Sequence, residues 1–173
     1  MRDPVAGPTN PVARWFLRAP IALFRMRLGW LFGGRLVLLV TTGRTSGRIR
    51  RTVVEVARSD PAQRTYWVVA GWGRGSDWYR NALAHPPLLI DTGRTRLISP
   101  AVHELTPAER LELLGDYQQR YPRVAKVLGE RVLGADFTAA PEDLERLADA
   151  LGALRFSPGG QTPSAQHADR SMR

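Results

Sequence analysis

Apolar positions fall into two regimes along the chain. From Arg35 to His103 they come in short runs rich in Val, Leu, Ile, Tyr and Trp, punctuated by Gly, Asp and Pro, which is the pattern of half-buried strands joined by tight turns. From Asn10 to Phe32, and again after Leu105, they recur at helical spacing. Strands are predicted at 35–41, 50–57, 65–71, 87–91 and 94–103, with turns at Gly43, Asp60-Pro61 and Gly93. Connections this short favour antiparallel pairing. A helix is predicted over 10–33, with Asn10 as N-cap, Pro11 at its first position, Pro20 dividing it and Gly33-Gly34 as its stop. A short helix follows from Asp77 to Ala84, started by Ser76 and stopped ahead of Pro86 and Pro87. Thr106-Pro107-Ala108-Glu109 is a capping box with proline at the first helical position, so a helix runs from there to about Gln119. Pro122 and Pro141 read as first-turn prolines of two more helices, and Leu154-Arg155-Phe156 as a last strand.

This divides the chain into a flexible N-terminus (1–9), a basic amphipathic helical segment (10–34), a strand-rich domain (35–157) and a disordered tail (158–173). The predicted fold class is α+β, mainly β: antiparallel strands in a small barrel or strongly curled sheet, with flanking helices.

Charge changes the picture because it is uneven. Between Asp3 and Glu55 there is no acidic residue, while nine arginines, from Arg14 to Arg51, equal the whole formal net charge of +9. Such asymmetry calls for an anionic partner of the N-terminal third: phosphate, polycarboxylate, acidic lipid or nucleic acid. The chain has no cysteine, and His85, His103 and His167 form no ligand spacing, so no metal site is expected. No apolar window reaches the ~20 residues that span a bilayer, and no convincing cleavable signal is present. A cytoplasmic protein is expected. Residues 11–32 carry an apolar face (Trp15, Phe16, Leu23, Phe24, Leu28, Leu31 and Phe32) opposite arginines. That helix either packs on the barrel or lies against the inner face of the plasma membrane as a peripheral contact.

Two constellations carry chemistry. In Thr41-Thr42-Gly43-Arg44-Thr45-Ser46-Gly47-Arg48-Ile49-Arg50-Arg51 an apolar strand runs into a glycine-flanked turn loaded with hydroxyls and guanidinium groups. Turn amides, a serine hydroxyl and arginines held at the end of a rigid strand are a natural receptor for phosphate. In Val68 to Asn81 a strand ends in Ala70-Gly71, and a Gly-rich loop leads into a helix start carrying Trp78, Tyr79 and Asn81. Helix N-termini attract anions and aromatic faces cover flat rings, although core packing alone would also explain these aromatics.

Taken in order, "LLVTTGRTSGRIRRTVVEV", "YWVVAGWGRGSDWYRNALAHP", the "LTPAERLELLGDYQQRYP" helix and the final "ALRFSP" strand resemble the deazaflavin-dependent nitroreductase family, across roughly residues 12–157. The resemblance implies an FMN-binding-like split β-barrel that holds coenzyme F420, with FMN as the alternative cofactor. On that pattern Arg44, Thr45, Ser46, Arg48 and Arg50 surround the cofactor's phosphate. Arg51, Thr52, Val53 and Val54 line the deazaflavin edge with Val69, Ala70, Gly71 and Trp72, and Asp77, Trp78, Tyr79, Arg80 and Asn81 close the pocket. Thr45 and Trp72 stand where relatives often carry lysine, and Arg48 or Arg74 is expected to restore that charge. The implied reaction is hydride transfer to a small-molecule acceptor: a quinone, an activated alkene or a nitro compound. Tyr79 and Tyr121 are the candidates to donate a proton or orient the acceptor. Monomer and homodimer both fit. Rival readings are a non-catalytic split barrel binding F420, FMN, haem or a lipid and, more remotely, a basic nucleic-acid module; no nucleic-acid partner is expected.

Overall fold

The computed structural model describes residues 21, 23, 24, 26 and 28–159. The expected N-terminus over 1–9, the helix positions up to Pro20 and the tail from Gly160 onward lie outside the described residues. Seven strands and four helices follow a 3₁₀ turn at Gly29–Phe32: β1 (Leu36–Thr42), β2 (Ile49–Asp60), β3 (Thr65–Ala70), α1 (Asp77–Ala84), β4 (Leu89–Asp91), β5 (Arg96–Ile98), β6 (Ala101–Glu104), α2 (Pro107–Arg120), α3 (Pro122–Leu133), α4 (Pro141–Ala150) and β7 (Gly152–Ser157).

All pairings are antiparallel, in the order β5-β4-β1-β2-β3-β7-β6. The two edge strands are consecutive in the chain and are joined only by Ser99 and Pro100. So short a link between opposite edges requires the sheet to curl round on itself, and the expected mainly-β split barrel is the fold observed. The single strand predicted over 94–103 is therefore two strands, β5 on one edge and β6 on the other. Ser99 takes a left-handed backbone (φ 45°) and Pro100 has no N–H to give to a ladder, so pairing breaks there. A second irregularity lies in β2, whose register against β3 shifts between Val56 and Arg58. β2 belongs to both halves of the sheet, and such a bulge bends it from one to the other.

The pleat sends Val37, Leu39, Val54, Val56, Val68 and Phe156 into the barrel, where they pack with Tyr79 and Ala82 of α1. On the outer face of one half, Leu38 and Val40 lie against Phe24. On the other half, Trp67, Val69 and Ala153 lie under Leu113, Tyr117 and Ala125 of α2 and α3. The helix predicted as far as residue 33 is interrupted: Leu28 leaves helical geometry, and the 3₁₀ turn ends on left-handed Gly33 (φ 60°), the expected stop. Phe24 folds over Gly29 so tightly that a β-carbon there would stand 2.4 Å from its ring, and that contact turns the chain.

Candidate functional site

The β1–β2 turn is closed by its own backbone, with Gly43 N–H donating to Arg48 O (2.8 Å) and Gly47 N–H to Gly43 O (2.8 Å). Arg44 then fastens it to α1: its backbone N–H and its Nη1 both donate to Asn81 Oδ1 at 3.1 Å, and Nη1 also reaches Asp77 Oδ1 at 2.9 Å. Residues far apart in sequence thus become one structure, in which the Arg44 guanidinium is held by its own protein. Thr45, Ser46, Arg48, Arg50 and Arg51 remain exposed around the turn. A β-carbon on buried Gly43 would stand 2.7 Å from Ser46 Oγ, 3.3 Å from Arg48 O and 3.7 Å from Arg50 Nε, so a hydroxyl, a carbonyl and a guanidinium close over that glycine. The Ser46 hydroxyl and the Arg50 guanidinium are donors that suit a phosphate oxygen, and Ser46 approaches the turn so closely because position 43 has no side chain.

Strand geometry divides the residues expected along the deazaflavin edge. Thr52 and Val54 share the pleat face of Arg50, with Val54 in the barrel core, whereas Arg51 and Val53 point to the outer face, where Val53 packs with the Phe24 cluster. In β3, Ala70 is interior and Val69 exterior. Beyond β3, Gly73 N–H donates to Ala70 O (2.7 Å) and the Ser76 hydroxyl donates to Gly73 O (2.8 Å). Ser76 does occupy the N-cap of α1, but its side chain braces the loop and makes no cap bond.

The two tyrosines part company. Tyr79 is 2 % exposed, its ring lies edge-on to Trp78 (5.8 Å between centroids) and its hydroxyl donates to Glu104 Oε1 at 2.7 Å. Burial, then that hydrogen bond, raises its pKa well above the ordinary phenolic value. Tyr121 lies on the outer face, under the Arg35 guanidinium (4.5 Å to the ring centroid). Glu55 Oε1 accepts from Arg35 Nη2 (2.9 Å) and from Tyr117 Oη (3.0 Å), which fixes that arginine. From Glu55 to Ile49 along β2 is roughly 20 Å at strand rise, so Tyr121 is remote from the turn. Arg80 is exposed on α1, with Nε donating to Arg74 O at 3.4 Å.

Sequence reasoning missed Arg131. From the last turn of α3 its Nη2 donates to Gly71 O (3.2 Å) and its guanidinium lies 4.4 Å from the centre of the Trp72 ring. The guanidinium that the fold brings to the Trp72 ring is that of Arg131. Helical spacing puts Val124, Val127 and Arg131 on one stripe of α3, and both valines are exposed. Among the described residues no group of three His, Asp or Glu side chains could hold a metal ion, and no helix is long and apolar enough to cross a membrane.

The curled antiparallel sheet and the turn welded to an interior helix define the chain as a split β-barrel. Within that class it belongs to the F420H(2)-dependent quinone reductase family, whose profile matches residues 23–131. The protein is therefore a deazaflavin-dependent reductase, and its cofactor is coenzyme F420. Similar solved structures include an F420-H2 dependent reductase (FDR-A), at 22% identity over 71% of this chain and 94% of that one, with a TM-score of 0.48. Another is a domain-swapped dimer (20% identity, 80% of this chain and 99% of that one, TM-score 0.49). A third is a Clostridium acetobutylicum protein related to general stress protein 26 of the pyridoxinephosphate oxidase family (14% identity, 80% and 84%, TM-score 0.42). No curated protein matches the chain.

Proposed function

We propose that the protein passes the hydride of bound reduced F420 to a quinone, and that Ser46 and Arg50 hold the cofactor's phosphate at the exposed face of the β1–β2 turn, with Arg48 beside them. The observation that supports the site is that the Ser46 hydroxyl and the Arg50 guanidinium come together beside Gly43 on side chains that, with Arg48, stay exposed. When bound, the cofactor supplies the hydride; the protein binds, orients and excludes water. Arg44 acts as the tether that keeps turn and α1 in register, and Tyr79 as a packing residue whose hydroxyl belongs to Glu104. The acceptor ring lies along the exposed Val124 and Val127 of α3, with Tyr121 at the start of that helix. A flat apolar quinone suits such a wall better than a charged metabolite.

The test is a fluorescence titration of the purified protein with F420 beside FMN, followed by oxidation of the reduced cofactor with menadione. Selective F420 binding with turnover is expected; binding without menadione reduction would move the proposal to an activated alkene or nitro acceptor. A quinone substrate also favours a lipid surface, and Met26, Trp30 and Leu31 are exposed beside the basic segment. We accordingly place the protein in the cytoplasm with a peripheral contact through residues 11–32. It should pellet with anionic liposomes at low salt, and recovery in the supernatant would remove the membrane contact.

A further inference from the structure

We infer that Arg131 is the cation that takes up the negative charge arriving on the acceptor oxygen, an assignment that rests on the quinone reaction proposed above. The guanidinium sits at the end of β3 because Gly71 lets it in: a β-carbon there would stand 3.0 Å from Nη2 and 3.5 Å from Leu128 Cδ1. One N–H is spent on the Gly71 carbonyl at 3.2 Å and one face on the Trp72 indole at 4.4 Å. Both contacts fix the plane of the group, and the residue as a whole stays exposed. Partial burial lowers its pKa, and no acidic side chain counters that shift. The group is thus a pre-oriented cation whose protein partners are a carbonyl and an indole, standing on the same α3 stripe as Val124 and Val127.

A hydride acceptor of the quinone class needs such a group. As the hydride passes to one carbonyl oxygen, an O–H bond forms there, both carbonyl π bonds are reorganised into the aromatic ring and the opposite oxygen becomes anionic; both electrons come from the reduced cofactor, which is oxidised in that step. The oxygen then takes a proton from water to complete the hydroquinone. A fixed cation beside that oxygen stabilises the transition state more than the neutral quinone, which is how it would raise kcat without tightening KM.

The test uses the full chain with two substitutions. Arg131→Gln removes the charge and keeps an N–H for Gly71, and Arg131→Lys keeps the charge. Lawsone, a hydroxynaphthoquinone that is an anion at neutral pH, serves as the product-like probe in equilibrium dialysis, and menadione as substrate. Arg131→Gln is expected to weaken lawsone binding about tenfold and to lower kcat about tenfold or more, with KM for menadione and Kd for F420 little changed; Arg131→Lys recovers most of both. Trp72→Leu supplies an independent arm, because it releases the guanidinium without removing it, and lawsone should bind more weakly there too. Equal lawsone affinity in the parent and in either Arg131→Gln or Trp72→Leu overturns the assignment. A parent that binds lawsone through Arg131 but does not bind F420 supports the assignment and removes the proposed function instead.

Discussion

At the scale of single residues, the arginines of the β1–β2 turn divide by what holds them. Arg44 gives two hydrogen bonds to Asn81, which is 4 % exposed, and a third to Asp77, whose side chain is 86 % exposed. The bond to exposed Asp77 contributes little, because water screens it; the bonds to buried Asn81 carry the tether. Asn81→Ala should therefore destabilise the protein by about 1–3 kcal/mol in urea titrations, and Arg44→Ala combined with it should add clearly less than its separate cost. Simple additivity of the two would show that turn and helix are not coupled through this pair. Arg50 has the opposite profile. It is exposed beside Gly43, and the proposed phosphate site assigns it to ligand binding and not to stability: Arg50→Ala should raise the Kd for F420 by roughly 10- to 100-fold, the scale of a lost charge-assisted hydrogen bond, while leaving the urea midpoint in place. An unchanged Kd would take Arg50 out of the phosphate site.

At the scale of elements, α2 shows what local sequence can settle. Its capping box forms as read: Glu109 N–H donates to Thr106 Oγ1 at 3.3 Å, and Glu109 Oε2 accepts from Thr106 N–H at 2.8 Å. His103 Nε2 from β6 lies 3.0 Å from the same oxygen, a partner that only the fold supplies. The backbone bond from Thr106 and then the contact with His103 hold the Glu109 carboxyl down at about 2, against an ordinary 4.5. A depressed folded-state pKa gives stability that is complete above the ordinary value and is lost as pH falls through the folded one. The stability gap between the parent and Glu109→Gln should thus be widest near neutral pH and close between pH 4.5 and about 2, and a gap that ignores pH would mean that the carboxylate is not what the helix start uses.

Where the deciding contact is distant, sequence was blind. Thr42-Gly43-Arg44-Thr45 and Thr92-Gly93-Arg94-Thr95 read alike, yet the second turn consumes its own donors. Gly93 N–H goes to Asp91 Oδ1 (2.7 Å) and Thr95 N–H to Thr92 Oγ1 (2.9 Å), while a β-carbon on Gly93 would stand 2.3 Å from the backbone of Gly29. It is a packing turn; the first also spends its backbone donors, but it leaves the side chains of Thr45, Ser46, Arg48 and Arg50 exposed. Likewise Arg51 to Val54 look like one lining strip in sequence, and only the pleat separates them into two faces. Arg131 reaches Gly71 across 60 positions, and nothing local marks it.

At the scale of the molecule, a sheet whose opposite edges are joined by Ser99 and Pro100 holds the two proposed binding regions on one frame, the β1–β2 turn tied to α1 and the α3 stripe tied to the end of β3. A ligand that bridges both should stabilise the whole barrel, because it binds the folded frame and not the open chain. At about 100 times its Kd such a ligand adds roughly 2.7 kcal/mol, which for a domain of this size raises Tm by about 5–10 °C. The acid-free N-terminal stretch and the net charge of +9 make part of that affinity electrostatic. The F420-induced rise in Tm should therefore shrink as salt goes from about 0.05 M to 0.5 M, where screening shortens below the spacing of surface charges. FMN carries a phosphate but lacks the further anionic tail of F420, so its smaller shift should depend less on salt. If the two cofactors gave equal shifts with the same salt dependence, the arginines of the N-terminal third would be contributing to solubility and not to cofactor choice.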